Sequence, residues 1–568
     1  MDTRLIDFAF ETLDENRTRW ARLPVATKIH ILDGIRTRVG IVAHAWVAAA
    51  TEAKQIPTDS QLVGEEWMSG PYALAAGAAA LADTLRRIES GTPVLDGFPV
   101  RNLSNGQVAV RVFPANSEDR LFLSAHTAEV WMQPGIEEAD LERSAASFYR
   151  EIDPDGTVAL VLGAGNIASI APLDVLTELF NYGTVTALKL NPVNAYLGPF
   201  LEKIFEELVE GGFVRFVYGG TEEGIYLTRH EIIQHIHVTG AGRTHDAIVY
   251  GVGSEGERRK VEDDPVISTP VTAELGGVGP TIVVGGRWSG ADLRYQAEHI
   301  MSQKLHNHGF NCIACQVLVL PEEWDQADDL LDAMRHVVSQ IGGRGAYYPG
   351  AIDRHSEAVA VHPNAEVLTN GAGPVTFITD LDPGVTEDVC FTSEFFGAVL
   401  GVVRLPGADT AAFLDNAVAF ANDTLEGNLG ANLIIHPTTA KEDAIALEKA
   451  IANLRFGTIA VNSWVGVAFA ISRATWGAFP GNARSNIESG TGVVHNSLML
   501  EGTERTVVRG AFAPFPRTLR QGVVHTEPTP PFFVTNRRAA HLGELLTEAV
   551  VSGSRKKIPA IVATAMRG

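Results

Sequence analysis

The stretch Thr157-Val-Ala-Leu-Val-Leu-Gly-Ala-Gly-Asn166 opens a repeating pattern of strands and helices. Its first six residues form a short apolar run typical of a buried strand, and the glycines after them mark a tight turn. A helical run at 172–182 and a strand-like run at 184–190 follow. The alternation continues through helical runs at 199–210 and 222–230 and strand-like runs at 213–218 and 235–239. Strands separated by single helices predict βαβ units and a parallel sheet.

A second alternating unit begins at the strand-like run Pro280-Thr-Ile-Val-Val-Gly285. It continues through a helical run at 289–305, a strand-like run at 317–320 and a helical run at 323–340. Ahead of both units, residues 1–90 are rich in helix formers, and short alternating runs between 106 and 132 predict a β-hairpin. The tail is proline-rich from 513 to 531 and helix-like at 538–551. The sequence therefore predicts an α/β protein with two lobes.

Composition restricts the classes of partner. The 568 residues include 45 basic and 68 acidic side chains, a net charge of −23, which disfavours nucleic acid and anionic membranes. Three cysteines are too few for a disulfide framework, so we expect a reducing compartment. The chain starts with the charged run Met1-Asp-Thr-Arg4, unlike a signal peptide, and its longest apolar stretch, 459–471, is too short to span a bilayer. A cytoplasmic location is expected.

Cys312 is the candidate nucleophile. It ends the run Asn307-His-Gly-Phe-Asn-Cys312, just ahead of the second lobe's strand at 317–320. Thiolate is the reactive form of cysteine, and loop or helix-terminal N–H groups help to generate it. The turn Glu274-Leu-Gly-Gly277 supplies a candidate base upstream. A buried structural cysteine is the alternative, because free cysteine is among the most buried residue types.

Polar and glycine-rich turns follow the strands of the first lobe. Asn166 follows the first strand and Lys189 ends the second. Ligands of open α/β sheets bind at these carboxyl ends, where an amide can stabilise an oxyanion. Gly220-Thr-Glu-Glu-Gly224 opens a helix, and Thr239-Gly240 precedes another, where a glycine turn favours a pyrophosphate. Each turn alone is also an ordinary strand-to-helix connection.

Taken in order, these motifs resemble the aldehyde dehydrogenase superfamily over residues 166–492. The series continues with Glu-Leu-Gly-Gly, Asn-x-Gly-x-x-Cys and Glu394-Phe-Phe-Gly397, then Val461-Asn462 and Phe479-Pro-Gly481. The resemblance implies an α/β fold with a Rossmann-type cofactor domain, an α/β catalytic domain and a small β oligomerisation element. The implied ranges are 1–105, 133–275 and 456–492 for the dinucleotide-binding domain, 276–455 for the catalytic domain, 106–132 and 493–535 for the oligomerisation element, and 536–568 for a helical tail.

The resemblance also implies a reaction: the oxidation of an aldehyde to a carboxylic acid with NAD or NADP. Cys312 attacks the carbonyl, Asn166 and the Cys312 backbone N–H hold the oxyanion, and Glu274 activates the water that cleaves the thioester. Cofactor contacts are implied for Lys189, Gly220, Gly224, Thr239, Gly240, Glu394 and Phe396. By family register the substrate tunnel is lined or bordered by Ile167, Ala171, Asp174, Asn311 and Ile313. Asp174 has a structural alternative, as a carboxylate in the N-terminal turn of a helix.

Several positions depart from the family pattern. Phe310 stands where glutamine is usual, His245 replaces a glycine, and Ala164-Gly-Asn-Ile167 replaces Pro-Trp-Asn-Phe. The glutamate that guards the ribose in NAD-preferring relatives is absent from Lys189-Leu-Asn-Pro192. We therefore expect NADP to be accepted at least comparably to NAD, with Asn191 or Asn194 donating to its phosphate. Arg243 is either a further positive charge there or a solvated surface residue.

Other readings stay open at this level. A zinc site from His306, His308, Cys312 and Cys315 is disfavoured, because two close ligand pairs would have to fold onto one ion; we expect no metal. Cys315 is expected to be a buried neighbour of Cys312, with oxidative pairing as the alternative, and Cys390 to be core. An acylating, coenzyme A-dependent enzyme and a non-catalytic binding or structural member remain alternative functions.

The resemblance implies a homodimer or a dimer of dimers. In the resembled family a hairpin ahead of the first Rossmann strand pairs with a late strand, for which Thr506-Val-Val-Arg-Gly510 is the best candidate. We expect 106–132 and 500–515 to form the oligomerisation surface, since exposed strand edges are a liability that a dimer removes.

Overall fold

The computed structural model describes residues 3–341, 344–369, 373–521 and 527–568. The predicted domain ranges also include residues 1–2, 342–343, 370–372 and 522–526, which lie outside this description. The strands are β1 (Val100–Asn102), β2 (Val108–Phe113), β3 (Thr127–Met132), β4 (Val158–Leu162), β5 (Val185–Lys189), β6 (Val214–Val217), β7 (His235–Gly240), β8 (Val271–Leu275), β9 (Gly279–Val283), β10 (Cys315–Pro321), β11 (Glu366–Thr369), β12 (Pro374–Leu381), β13 (Val399–Leu405), β14 (Gly430–Ile434), β15 (Thr458–Val461), β16 (Thr475–Gly477), β17 (Val493–His495) and β18 (Thr503–Arg509).

The α-helices are α1 (Thr3–Ala21), α2 (Val25–Ala53), α3 (Val63–Trp67), α4 (Ala73–Ser90), α5 (Ser117–Phe122), α6 (Glu138–Ser144), α7 (Ile170–Leu176), α8 (Gly198–Ile204), α9 (Glu206–Glu210), α10 (Thr221–Thr228), α11 (Gly242–Val249), α12 (Gly253–Glu262), α13 (Gly290–Leu305), α14 (Ala327–Gln340), α15 (Ala351–Val361), α16 (Val389–Thr392), α17 (Thr410–Asp423), α18 (Pro437–Glu442), α19 (Ala444–Asn453), α20 (Val465–Ala470), α21 (Ala539–Ser552) and α22 (Ile558–Ala565). Short 3₁₀ or π-helical turns occur at Met68–Tyr72, Ser147–Arg150, Thr177–Asn181, Pro192–Leu197, His306–Gly309, Arg517–Gln521 and Arg555–Lys557.

The first run of strands and helices forms a five-stranded parallel sheet in the order β6-β5-β4-β7-β8. The central strands are apolar and buried, as expected for a sheet covered on both faces. The strand order reverses between β4 and β7, so ligands are expected at the carboxyl ends of these two strands. This arrangement confirms the predicted Rossmann-type part of the fold.

The second run contributes to an eleven-stranded mixed sheet in the order β1-β2-β3-β18-β15-β14-β9-β10-β13-β12-β11. Strands from β18 to β12 run parallel, and the outer pairs are antiparallel. The predicted strand at 317–320 lies within β10, near the middle of this sheet, and β10 is buried along its whole length. The α/β fold class is confirmed.

The predicted hairpin consists of β2 and β3, with α5 inserted in the connection between them. The late segment at 506–510 falls mainly in β18, which pairs with β3 on one side and with β15 on the other. These strands therefore complete a sheet within one chain, and the outermost strand on this side is the three-residue β1. Oligomerisation and the domain boundaries stay predictions.

The N-terminal helices and the C-terminal tail pack together. The long helix α2 contacts α4, α8 and α21, while α1 lies against β5 and β6. Trp20 of α1 and Leu32 and Trp46 of α2 are fully buried, so each helix packs an apolar face against the core. No helix among the described residues is long and apolar enough to cross a membrane.

Candidate active site

A cavity of about 1070 Å³ lies at the carboxyl ends of the Rossmann strands, and loops and helices of the second lobe line its other side. All ten residues predicted for catalysis and cofactor binding line it: Asn166, Lys189, Gly220, Gly224, Thr239, Gly240, Glu274, Cys312, Glu394 and Phe396. They come from separate segments of the chain, so their convergence is a property of the tertiary structure.

The loop ahead of Cys312 is held by unusual backbone conformations. Asn307 and His308 have positive φ angles of 52° and 55°, and Gly309 has 77°. A Cβ on Gly309 would lie 2.4 Å from the carbonyl oxygen of Gly397, so only glycine fits there. The Asn307 side chain donates to the carbonyl oxygens of Phe310 (2.8 Å) and Asn166 (3.1 Å). The nucleophile loop is thereby tied to the turn after β4.

Asn166 is 5% exposed and lines the cavity. Its Nδ2 donates to the Phe310 carbonyl oxygen at 3.2 Å. A side-chain amide carries two N–H groups, so one remains for a ligand oxygen. The backbone of Asn166 also accepts a hydrogen bond from the Tyr347 hydroxyl at 3.3 Å, which fixes the position of this residue further.

The Cys312 thiol is partly exposed and free. Burial, together with the negative charges of Glu274 and Glu394, raises its pKa well above the usual value, and its backbone hydrogen bond opposes this only weakly. The predicted activation by loop N–H groups is therefore outweighed, and a base must remove the proton. Cys315 is fully buried at the start of β10, where burial raises its pKa to about 11.

Glu274 is the last residue but one of β8 and is 2% exposed. Its Oε1 accepts a hydrogen bond from Trp476 Nε1 at 2.6 Å, and its Oε2 has no protein partner. Burial raises the pKa of Glu274 to about 7, although the Trp476 hydrogen bond opposes the shift. A base with this pKa is half ionised near neutral pH, which suits proton transfer in either direction.

Lys189, for which the resemblance implies a contact with the cofactor, lines the cavity at the end of β5. Its ammonium donates to the Gly219 carbonyl oxygen at 2.9 Å, and burial lowers its pKa despite the neighbouring charge of Glu223. The Glu223 carboxylate is itself engaged by the Gly220 N–H at 2.7 Å. Asn191 lines the cavity. Arg243 is exposed and also lines the cavity, so its position agrees with both alternatives, a positive charge for the cofactor and a solvated surface residue.

Asn194 is placed differently from the prediction. It is buried and donates to the Ala164 carbonyl oxygen at 3.3 Å. It is therefore already committed to the turn after β4 and is not among the residues that line the cavity.

The opposite end of the cavity contains Glu394. A Cβ on Gly276 would lie 2.2 Å from Glu394 Oε1, so the Glu-Leu-Gly-Gly turn needs glycine to let this carboxylate approach. Arg354 holds the segment by donating to the carbonyl oxygens of Phe395 (2.7 Å) and Phe396 (3.3 Å). Burial raises the pKa of Glu394 to about 8, while the charges of Arg354 and Lys304 oppose it.

The five predicted tunnel residues do not line this cavity. Ile167, Ala171, Asn311 and Ile313 are buried in the surrounding core. The assignment of these five residues to the substrate tunnel stays a prediction. Asp174 lies in the body of α7, beyond its first turn. It faces a second, separate cavity of about 430 Å³. Ile170, on the same helix, lines the main cavity instead.

Sequence reasoning missed many of the lining or contacting residues, among them Tyr348, Arg354 and Trp476. Arg354 and Tyr348 lie on or just before α15, in a region without a motif. Trp476 contacts Glu274 across 202 residues of sequence. No local pattern signals such a contact, because it depends on how β16 is placed beside β8.

The residues of the disfavoured zinc site have other contacts. His306 packs against Trp464, with ring centroids 4.9 Å apart, and its Nδ1 lies 3.4 Å from Asn311 Nδ2. His308 packs against Phe310, and all three cysteines are free.

Comparison with curated proteins identifies relatives. The sequence profile described as the aldehyde dehydrogenase family matches residues 136–496. Aldehyde dehydrogenase family 3 member H1 of Arabidopsis thaliana is 25% identical over 215 residues, which cover 38% of this chain and 40% of that protein. N-succinylglutamate 5-semialdehyde dehydrogenase of Ectopseudomonas mendocina is 25% identical over 286 residues, 47% of this chain and 55% of that protein. The chain thus spans about half the length of the curated relatives it matches.

Solved structures share the architecture. NADP-dependent glyceraldehyde-3-phosphate dehydrogenase from Bacillus halodurans C-125 superposes with a TM-score of 0.59 at 17% identity, covering 90% of this chain and 92% of that one. NAD-dependent aldehyde dehydrogenase from Sinorhizobium meliloti has a TM-score of 0.58 at 15% identity, covering 91% and 89%. At these identities the likeness establishes the fold, and the profile match establishes the relationship. The chain belongs to the aldehyde dehydrogenase family.

Proposed function

We infer that this protein oxidises an aldehyde to a carboxylic acid with NAD or NADP, through a thiohemiacetal and a thioester on Cys312. The observation that carries this inference is the convergence of Asn166, Glu274 and Cys312 on the cavity that also holds the predicted cofactor residues. A thiol, an amide donor and a base with a pKa near neutrality are the groups that this chemistry requires.

The cavity fits a nicotinamide dinucleotide. A Cβ on Gly240 or Gly242 would enter open space, so the backbone at the start of α11 is accessible to a phosphate group. In this proposal Lys189 binds the adenosine ribose, and Glu394 and Phe396 bind the nicotinamide-side ribose; all three line the cavity. When bound there, the cofactor accepts the hydride that leaves the substrate carbon.

The protein's own residues act in two stages. The Cys312 thiol, which its raised pKa keeps protonated at rest, releases its proton to solvent as the sulfur bonds to the aldehyde carbon. The Asn166 amide and the Cys312 N–H stabilise the resulting oxyanion. Loss of hydride from that carbon leaves the thioester. Glu274, as a carboxylate, then removes a proton from water, and the hydroxide so formed attacks the thioester carbon. The carbon–sulfur bond breaks, the acid departs, and the Cys312 thiolate takes up a proton from solvent.

A panel of short, long-chain and aromatic aldehydes tests the inference, with reduced cofactor measured with and without coenzyme A. Turnover without coenzyme A supports the hydrolytic reaction. A strict requirement for coenzyme A would instead indicate the acylating alternative. Bound cofactor with no turnover on any aldehyde would indicate a non-catalytic member.

We expect NADP to be used at least comparably to NAD. Pro192 leaves no carboxylate three residues after Lys189, Glu223 is engaged with Gly220, and Asn191 lines the cavity. The measurement is the ratio of kcat/KM for the two cofactors on one aldehyde. A preference for NAD of about a hundredfold, roughly 2.7 kcal/mol at about 1.36 kcal/mol per decade, would contradict this expectation.

A further inference from the structure

A second cavity, of about 430 Å³, lies beside the Rossmann sheet and is separate from the one that holds Cys312. Its lining includes two carboxyl groups, of Asp174 and Glu178, and two imidazoles, of His235 and His237. The remaining lining is also rich in hydroxyl groups, from Thr157, Thr177, Tyr182, Thr184 and Thr272. None of these residues has a role in the proposed chemistry, yet buried titratable groups are costly unless they are paired or used.

The cavity is joined to Glu274 by polar side chains on two neighbouring strands. Side chains alternate between the faces of a strand, so His235, His237 and Thr239 of β7 share one face. In the parallel register His237 pairs with Thr272 and Thr239 pairs with Glu274 of β8. One face of the sheet therefore has a continuous polar stripe that begins at the second cavity and ends at the candidate base.

Hydrogen bonds connect most of this stripe. Glu178 Oε1 lies 3.2 Å from His235 Nδ1, and His235 Nε2 lies 2.9 Å from Thr272 Oγ1. Thr272 Oγ1 lies 3.0 Å from His237 Nδ1. Every contact joins groups that can exchange a proton, since hydroxyl and imidazole groups each both donate and accept.

The remaining hydrogen bonds lead from His237 through Thr239 to Asp174. His237 Nε2 lies 3.4 Å from Thr239 Oγ1, and this hydroxyl donates to Asp174 Oδ2 at 3.0 Å. Asp174 and Glu274 are both 2% exposed, and burial, followed by the charge of Glu274, raises the pKa of Asp174 well above its usual value. The two carboxyl groups are thus electrostatic neighbours, and the unpartnered Oε2 of Glu274 is available for a bridging water.

A proton exit is needed because each turnover releases protons at a buried carboxylate. Trp476 occupies one oxygen of Glu274, and the substrate and cofactor would fill the main cavity on the other side. At the far end of the stripe His235 is partly exposed, with its side chain 24% accessible. Burial lowers the pKa of His237 to about 4, so the middle of the stripe is neutral and can pass a proton without holding it.

We propose that Asp174, Thr239, His237, Thr272, His235 and Glu178 form a proton relay that carries the proton from Glu274 to water in the second cavity. This rests on the proposed function, since Glu274 must gain that proton from the attacking water. In each transfer one O–H or N–H bond breaks as the next forms, and no oxidant or further reactant is needed.

The test uses Thr272→Val, which removes the hydroxyl between the two imidazoles while keeping the side-chain shape. Thr272→Ser restores the hydroxyl, and Thr184→Val is the matched control, because Thr184 lines the same cavity but bonds to Thr157 outside the relay. We expect Thr272→Val to keep the first burst of reduced cofactor and to slow acyl-enzyme hydrolysis by about tenfold or more, within the usual contribution of proton transfer. Both other variants should resemble the wild type.

His235→Ala tests the relay by chemical rescue, because added imidazole can replace a lost proton-transfer group but cannot repair a packing defect elsewhere. Hydrolysis should fall, and added imidazole should restore it in a saturable way through the second cavity. Three results would each overturn the relay. The first is an unchanged rate of acyl-enzyme hydrolysis in Thr272→Val, and the second is a loss of that rate in Thr272→Ser and Thr184→Val as large as in Thr272→Val. The third is a failure of imidazole to restore hydrolysis in His235→Ala. If the wild type forms no reduced cofactor with any aldehyde, the proposed function fails first, whatever the variants do.

Discussion

Cys312 and Cys315 are three residues apart but lie in different environments. The Cys312 thiol lines the main cavity, whereas Cys315 is fully buried at the start of β10. We expect Cys312→Ala to abolish turnover while the protein stays folded, and Cys315→Ala to keep most of it. Steady-state rates and circular dichroism of both variants make the comparison. Loss of activity in Cys315→Ala alone would reverse the assignment of the nucleophile.

Glu274 combines burial with one hydrogen bond from Trp476. Glu274→Gln should keep a single burst of reduced cofactor and lose the steady-state rate, because the base acts on water after the thioester forms. In the wild type the hydrolysis rate should rise with pH through about 7, as the carboxyl loses its proton, and this rise should vanish in the variant. Stopped-flow absorbance across pH resolves both effects. A lost burst with cofactor still bound would assign Glu274 to thiol activation instead.

The raised pKa of Glu274 also predicts how the stability of the fold depends on pH. The unfolded carboxyl loses its proton near its ordinary pKa, while the folded one keeps it until about 7, so ionisation of Glu274 lowers the stability of the fold as pH rises through this window. Glu274→Gln removes that effect. The variant should therefore be at least as stable as the wild type at pH 8, which separates a catalytic defect from unfolding.

At the scale of elements, the turn after β8 and the loop after α16 come into close contact, because Gly276 has no side chain to exclude the Glu394 carboxylate. Gly276→Ala would place a Cβ 2.2 Å from Glu394 Oε1, so the segment 394–396 must shift. We expect the KM for the cofactor to rise by about tenfold or more, since a misplacement of about 1 Å can cost a hundredfold. Gly290→Ala, in the exposed first turn of α13, is the matched control, because its Cβ meets only Arg294 at 3.7 Å. Equal KM values for the two variants would contradict the close approach.

The C-terminal end of α7 shows a boundary that the sequence pattern does not predict. The sequence predicted one helix over 172–182, but the structure has α7 followed by a π-helical turn at Thr177–Asn181. Helical periodicity is the same in both cases, so the pattern cannot distinguish them. The change in winding alters which side chains face the sheet, and Asp174 and Glu178 both line the second cavity.

At the scale of the whole molecule, the late strand β18 completes the large sheet within its own chain. The liability of unpaired edges is thereby much reduced, and the short β1 is the outer strand on this side. We still expect a dimer or a dimer of dimers through the hairpin, as the resemblance implies. Light scattering at micromolar concentration should show at least twice the monomer mass, and a stable monomer would be decisive against it.

The sequence by itself determined the strands β4 to β7 with the helices between them, the family, and ten of the residues that line the main cavity. It could do so because apolar periodicity, glycine turns and spaced motifs are local features. Only the tertiary structure decided that Trp476 bonds to Glu274, that Asp174 faces a second cavity, and that β18 pairs with β15. These depend on strand register and helix rotation, which are set by packing between segments far apart in the chain.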